Sequence, residues 1–152
     1  MTTNGIKFYY APEATAGTQP TTGWIEIPNV VSWGEIGSTP DTIEITPVSE
    51  TSFKRYEQGL SDTGSVDVTG NWASDFIDAW ETMREAMATA AAAGKTLWFT
   101  QVIPNYEKSF YYSGSPSMLR FPEVTSNSAF QVSGTITVNK VTGLAAKPTI
   151  GG

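Results

Sequence analysis

The sequence predicts a mostly β, α+β fold, an antiparallel β-sandwich or half-barrel with one α-helix packed on its face. Three observations predict it. Segments of alternating apolar and polar residues recur between Trp24 and Val141, separated by Gly, Pro and Asn turn signals. A single segment, Ser74 to Gly94, instead repeats its apolar residues at spacings of three and four. The chain has 152 residues, 39% of them hydrophobic, which suits one core and strains at two.

The elements follow in order. Ile6 to Tyr10 is a short strand-like run within an N-terminal arm, residues 1–23, whose Thr, Ala, Gly and Pro content lacks periodicity from Ala11 onward. Trp24 to Ile27 alternates, Pro28-Asn29 turns the chain, and Val30 to Ile36 continues as a second edge strand. Thr42 to Thr46 has Ile43 and Ile45 on one face and Thr42, Glu44 and Thr46 on the other. From Pro47 to Gly64 the sequence is polar and aperiodic, a long excursion of the kind that is usually functional. It is expected between two matched strands, because Ser65 to Trp72 alternates again, with Val66, Val68 and Trp72 opposite Asp67 and Thr69.

In the helix, expected over 74–94, Ser74 is the candidate cap, Asp75 and Asp78 suit the N-terminal dipole, and Gly94 with Lys95 closes the C-terminus. Phe76, Trp80, Met83 and Met87 form its apolar stripe, read as core packing. Leu97 to Ile103, Lys108 to Ser113 and Met118 to Phe121 read as aromatic-rich strands. Ala129 to Val141 is the longest alternating segment, with Phe130, Val132, Ile136 and Val138 inward and Gln131, Ser133, Thr135, Thr137 and Asn139 outward. Residues 143–152 have linker composition and are expected to form a flexible tail after a domain spanning 1–142. A small closed barrel is also compatible with these strands.

Composition narrows the function. With no His and no Cys, the chain lacks a thiol nucleophile, an imidazole base and the ligands of ordinary zinc sites. Its net charge of -6 disfavours a grip on phosphates, which depends on clustered Lys and Arg. The charge is uneven: residues 1–85 carry 13 acids against 4 bases, and residues 86–152 carry 2 against 5. No cationic leader precedes an apolar run, and no run approaches the roughly 20 residues that span a bilayer. The expectation is therefore a soluble, unprocessed protein with no membrane association. Only 16% of residues are charged, so the surface is rich in neutral Ser and Thr, a composition that suits packing against protein.

Three chemical readings can be set beside that one. Glu44 and Asp67, on strands that flank the excursion, are the best pair for carboxylate acid/base hydrolysis, although alternation puts both on solvent-side positions. Asp62 and Asp67 bracket Gly64 without the spacing of a calcium loop. Trp24, Trp33, Tyr106, Tyr111 and Tyr112 are candidates for a sugar-stacking platform, making a monomeric carbohydrate-binding sandwich the alternative function. No metal, cofactor or nucleotide site is expected.

The middle of the chain carries a family pattern: Ile27-Pro28-Asn29-Val30, Gly34-Glu35, Thr42-Ile43-Glu44-Ile45-Thr46, Lys54-Arg55-Tyr56-Glu57-Gln58-Gly59-Leu60-Ser61-Asp62-Thr63-Gly64, and finally Gly134-Thr135-Ile136-Thr137-Val138. In this order and spacing, across about residues 25–140, it resembles the major tail tube protein of long-tailed, siphovirus-type bacteriophages. The resemblance implies a non-enzymatic virion protein forming hexameric rings. These rings stack into a hollow tail tube whose subunit strands complete a large inner β-barrel, through which DNA passes during ejection. It implies a stacking loop at 47–64 that reaches the adjoining ring, for which Phe53, Lys54, Arg55, Tyr56, Glu57, Leu60 and Asp62 are the candidate contacts. Glu44, Thr46, Asp67, Thr69, Gln131, Thr135, Thr137 and Asn139, outward on the best alternating strands, are the candidate lumen wall. Partners implied are further copies of itself, tail tip or baseplate, tape measure and terminator proteins, with viral DNA only in transit. The location implied is the virion tail, and the host cytoplasm during assembly. Some members carry an extra C-terminal immunoglobulin-like domain, which this sequence does not show.

Overall fold

Alternation along the strands gives one large sheet two unlike faces, and that difference organises the molecule. The computed structural model describes residues 5–36, 42–58, 64–127 and 130–148. Its strands are β1 (Lys7–Pro12), β2 (Ile25–Glu26), β3 (Val30–Trp33), β4 (Thr42–Glu44), β5 (Tyr56–Gln58), β6 (Ser65–Asn71), β7 (Leu97–Val102), β8 (Lys108–Pro116) and β9 (Gln131–Ala146), with a helix α1 (Ser74–Ala92) between β6 and β7. Seven of them form an antiparallel half-barrel in the order β2-β1-β7-β8-β9-β6-β3, while β4 and β5 pair apart from it as a two-stranded ribbon.

The first face is closed by α1. Val66 and Val68 of β6, Leu97 and Phe99 of β7, Tyr112 of β8, and Val132, Ile136 and Val138 of β9 meet Phe76, Trp80 and Met83 of the helix in the main core. Small residues let the helix sit close: a Cβ added at Gly70 would meet Phe76 at 2.6 Å, and one at Gly134 would meet Trp80 at 2.4 Å. Trp80 Nε1 also donates to the Ser117 carbonyl at 2.8 Å. The edge strand β3 curls over the same face, where Trp33 stacks on Phe8 at 4.5 Å and donates to the Tyr112 hydroxyl at 2.8 Å. Burial pushes the pKa of that hydroxyl well up, although the Trp33 bond acts against the shift.

On the opposite face, a second cluster of Tyr9, Ala11, Trp24, Trp98 and Tyr111 covers only the β1, β7 and β8 half. Glu13 anchors it, accepting bonds from the Thr96 N–H at 2.8 Å and from Trp98 Nε1 at 3.0 Å. Burial raises the Glu13 pKa, but bonds from Trp98, Thr96 and Gly17 outweigh it and hold the carboxyl below its ordinary value.

Several boundaries differ from the sequence expectation. Ala73, not Ser74, occupies the N-cap, with no side-chain cap bond, and the helix ends at Ala92. Gly94, at φ 74°, then closes it as expected: Lys95 N–H bonds to Ala90 and Gly94 N–H to Ala91, the paired arrangement that only a left-handed residue allows cheaply. Thr42 to Thr46 does not join the main sheet beside β6. It is the ribbon, pairing Thr42 with Gln58 and Glu44 with Tyr56, so the excursion supplies its own partner strand and Ile43 and Ile45 stay exposed.

Residues 143–146 are not a tail but the end of β9, paired with Lys108 to Tyr111. Two register shifts, at Tyr111/Tyr112 and Ser113/Gly114, insert Asn139 and Thr142 as extra residues, and this breaks the alternation. Val141 thus joins the helix-side core, and Ala145 the second cluster, although both are odd-numbered. Trp24 and Ile27 are both buried while Ile25 is exposed, because this strand is only two residues long. Met118 to Phe121 makes only a bridge, from Arg120 to Ser133. Trp72 lies beyond β6 and is exposed rather than sharing the face of Val66.

Candidate assembly interface

The half of the second face formed by β6 and β9 is left uncovered, and every cross-strand pair on it is polar. Ser65 faces Thr137, Asp67 faces Thr135, Thr69 faces Ser133 and Asn71 faces Gln131. The pairs are bonded across the strands: Thr135 Oγ1 to Asp67 at 3.0 Å, Thr69 and Ser133 hydroxyls at 3.2 Å, and Gln131 Nε2 to Asn71 at 3.4 Å. The sheet therefore brings together Asp67, Thr69, Gln131, Thr135 and Thr137 from the sequence list, with exposed Asn139 at the bulge beyond them.

Glu44 and Thr46 are not brought to this wall, since they lie on or beside the ribbon. Thr46 has a different task there: its hydroxyl accepts the Arg55 N–H at 2.8 Å and ties the ribbon's neck. Sequence reasoning also missed Arg120, whose guanidinium lies 3.7 Å from Asp67 and offsets that carboxylate, leaving the wall polar and close to neutral instead of acidic. No periodic pattern surrounds Arg120, so only its bridge to Ser133 on the β9 ladder, seen in three dimensions, reveals it.

The ribbon is the second feature. Ile45 N–H bonds to the Arg55 carbonyl at 2.8 Å, extending the β4–β5 pairing toward a tip at Pro47 to Lys54. Within the tip, Glu50 N–H bonds to the Pro47 carbonyl, and the Glu50 carboxylate accepts the Ser52 N–H at 3.0 Å. Backbone N–H groups of Ser52 and Phe53 hold the Glu50 carboxyl below its ordinary pKa. Ile43, Ile45, Val48, Phe53 and Tyr56 are all exposed, Phe53 at 80%, and no described ribbon residue enters either core cluster. Of the expected stacking contacts, Phe53, Lys54, Arg55, Tyr56 and Glu57 lie along this hairpin, with Arg55 3.5 Å from Glu50. Leu60 and Asp62 lie outside the described residues.

The competing sites come apart. Glu44 and Asp67 are on separate sheets, so the neighbouring-strand placement expected from the sequence is not formed. Asp62 of the calcium reading is likewise outside the described residues, among which no metal-holding group of carboxylates occurs. The sugar platform is dismantled by burial: Trp24, Tyr111 and Tyr112 belong to the cores, Trp33 is spent on Phe8 and Tyr112, and only Tyr106 is exposed. Besides Tyr106, the aromatics that face solvent among the described residues are Phe53, Tyr56, Trp72 and Phe121. A groove of about 480 Å³ follows the seam between β1 and β3, lined by Ile6, Phe8, Val31, Trp33 and Gln101. No helix among the described residues is long and apolar enough to cross a membrane.

The fold, a half-barrel with one face-packed helix, is similar to that of chains found in tails and contractile injection systems. A chain from an extracellular contractile injection system (PVC sheath/tube terminator, extended state) is similar over 92% of this chain and 94% of its own, with 15% identity and a TM-score of 0.59. A chain from the tail of an empty GTA particle, refined with C6 symmetry, matches over 97% and 98%, with 10% identity and a TM-score of 0.57. A chain of the anti-feeding prophage baseplate, six-fold symmetrised, matches over 93% and 92%, with 7% identity and a TM-score of 0.56. No protein-family model and no curated protein sequence matches the chain. At these identities the likeness is one of fold.

Proposed function

We propose that the chain is a non-enzymatic structural subunit that polymerises as stacked hexameric rings into a phage tail tube, the conduit for DNA ejection. The observation that carries this reading is the ribbon: a hairpin with five large exposed apolar side chains and no share in the core has its energetic purpose in another molecule. Three further features support it. The fold likeness is to components of tail and injection assemblies, two of them determined with six-fold symmetry. The half-barrel has open edges at β2 and β3, and ring closure into one large barrel would pair them. The bare β6–β9 wall of Ser, Thr, Asn and Gln offers DNA few fixed charges to bind, as a sliding channel requires.

In this reading Asp67, Thr69, Gln131, Thr135, Thr137 and Asn139 line the lumen, and Phe53 to Glu57 make contacts between rings. Partners are further copies of the chain, with tail tip or baseplate, tape measure and terminator proteins at the ends and viral DNA in transit. Its place is the virion tail after assembly in the host cytoplasm. Replacing the tip, residues 47–54, by a short Gly-rich turn tests the reading. The expected product melts like the parent, because the tip adds nothing to the cores, yet fails to elongate. Normal tubes from it would overturn the stacking assignment.

A further inference from the structure

Among the described residues, the chain departs for the ribbon and returns from it at one end of the strands, and an exposed aromatic cluster lies at the other end. Trp33 of β3 pairs with Val68 of β6, and the Gly34 N–H bonds to the Asp67 carbonyl at 2.9 Å. Both roots of the ribbon, the end of β3 and the start of β6, therefore leave the sheet at its Ser65 end. Trp72 follows β6 at the other end, where its N–H bonds to the Phe130 carbonyl at 3.0 Å. Phe121 arrives there beside Arg120, whose N–H bonds to the Ser133 carbonyl. Seven strand residues at about 3.3 Å each separate the ends by roughly 20 Å.

At that far end three rings gather without entering either core. Trp72 and Phe130 have ring centroids 4.7 Å apart, Trp72 and Phe121 5.4 Å, and Phe121 and Phe130 5.5 Å. Phe121 is 69% exposed and neighbouring Met118 66%. The cluster is flanked by exposed acids: Asp75, three residues past Trp72 in the first helical turn, and Glu123, two past Phe121. The base beside it, Arg120, is turned to Asp67. The ribbon tip has a complementary pair, Phe53 followed by Lys54, while Arg55 is turned to Glu50 of the same tip.

We infer that the Trp72–Phe121–Phe130 cluster is the receptor for the ribbon of the next copy of this chain, with Phe53 seated on the rings and Lys54 facing the acids. This deepens the self-assembly reading and rests on it. Donor and receptor are different surfaces of one subunit, so the contact is heterologous and repeats along a line instead of closing a dimer. Apolar match with opposite charge at the rim gives it both affinity and a fixed polarity.

The chain has no Cys, so two introduced ones report cleanly. The Phe53→Cys, Phe121→Cys double variant, treated with a short bis-maleimide in assembled material, should give a ladder of covalent multimers beyond the dimer. Phe53→Cys paired with Ile25→Cys, on exposed β2, should give none. Filaments that ladder through Ile25→Cys and not Phe121→Cys would overturn the receptor assignment and leave self-assembly standing. Failure of the unmodified chain to form any oligomer would overturn both. A photo-crosslinking residue at position 53, mapped by mass spectrometry, repeats the test with Phe121 intact. Adducts within 118–130 of another copy support the contact, and adducts elsewhere refute it.

Discussion

Substituting Gly134 by Ala tests the packing that positions the whole assembly surface, since β9 carries Gly134 toward the helix and the polar wall away from it. A Cβ at Gly134 would lie 2.4 Å from Trp80 Cζ2 and 2.8 Å from Cε2, where real Cβ contacts under 3.0 Å essentially never occur. The indole cannot slide freely, because it is fully buried and its Nε1 is bonded to the Ser117 carbonyl at 2.8 Å. Overpacking of this kind costs about 1–3 kcal/mol. Against it, removing a strand glycine gains roughly 0.5–1 kcal/mol of chain entropy, so a net loss of about 1–2 kcal/mol is expected. That corresponds to a fall in Tm of about 2–8 °C for a chain of this size. Urea denaturation of the unassembled protein measures it, with Trp80→Phe and the double variant completing a cycle. Trp80→Phe alone destabilises by leaving a void, but it removes the clashing atoms, so the double variant should lose at least about 0.5 kcal/mol less than the sum. A Gly134→Ala protein as stable as the parent, or strictly additive losses, would refute the close approach of helix and sheet.

Three other outcomes follow from the same contacts. Trp33→Phe keeps the stack on Phe8 but deprives the buried Tyr112 hydroxyl of its donor, and should cost about 1–3 kcal/mol in urea; an unchanged midpoint would count against the closure of β3 over the core. The folded-state pKa of Glu13 is lowered, so the unfolded chain takes up that proton first as pH falls, and the stability Glu13 contributes is full above the ordinary carboxyl value of 4.5 and is lost below it. The stability gap between the parent and Glu13→Gln should therefore shrink on acidification through this range, and a gap independent of pH would be inconsistent with the anchor. Asp67→Lys breaks an exposed pair worth about 0–1 kcal/mol and should leave the fold intact. In the tube reading it turns a neutral wall basic, so variant tubes should retain duplex DNA in a salt-dependent way that parent tubes do not; equal retention would argue against that wall lining the channel.

Much of this was legible in the residues, and the exceptions have physical causes. The helix, its stripe of Phe76, Trp80 and Met83, and the polar face of β6 and β9 follow directly from period, because each lies on an uninterrupted element with one buried side. Periodicity says which residues share a face but not which strand is adjacent. Thr42 to Thr46 alternates as cleanly as any core strand, yet it pairs within the excursion and leaves Ile43 and Ile45 exposed. The end of β9 was hidden by its bulges at Asn139 and Thr142, each of which inverts the alternation. Aromatic residues were the least readable: Tyr111 and Tyr112 are buried on opposite faces of one strand, whereas Trp72 and Phe121, in less regular segments, are the ones left to solvent. The stacking contacts rest on family resemblance and stand as a proposal; what the structure adds is that Phe53 to Glu57 lie along an apolar hairpin outside the core.

Negative-stain electron microscopy of the purified protein across rising concentration, with light scattering on the same samples, tests the central claim most directly. Six-fold rings and hollow filaments are the predicted result, with filament length increasing with concentration. Monodisperse globular monomers at every concentration would contradict the account.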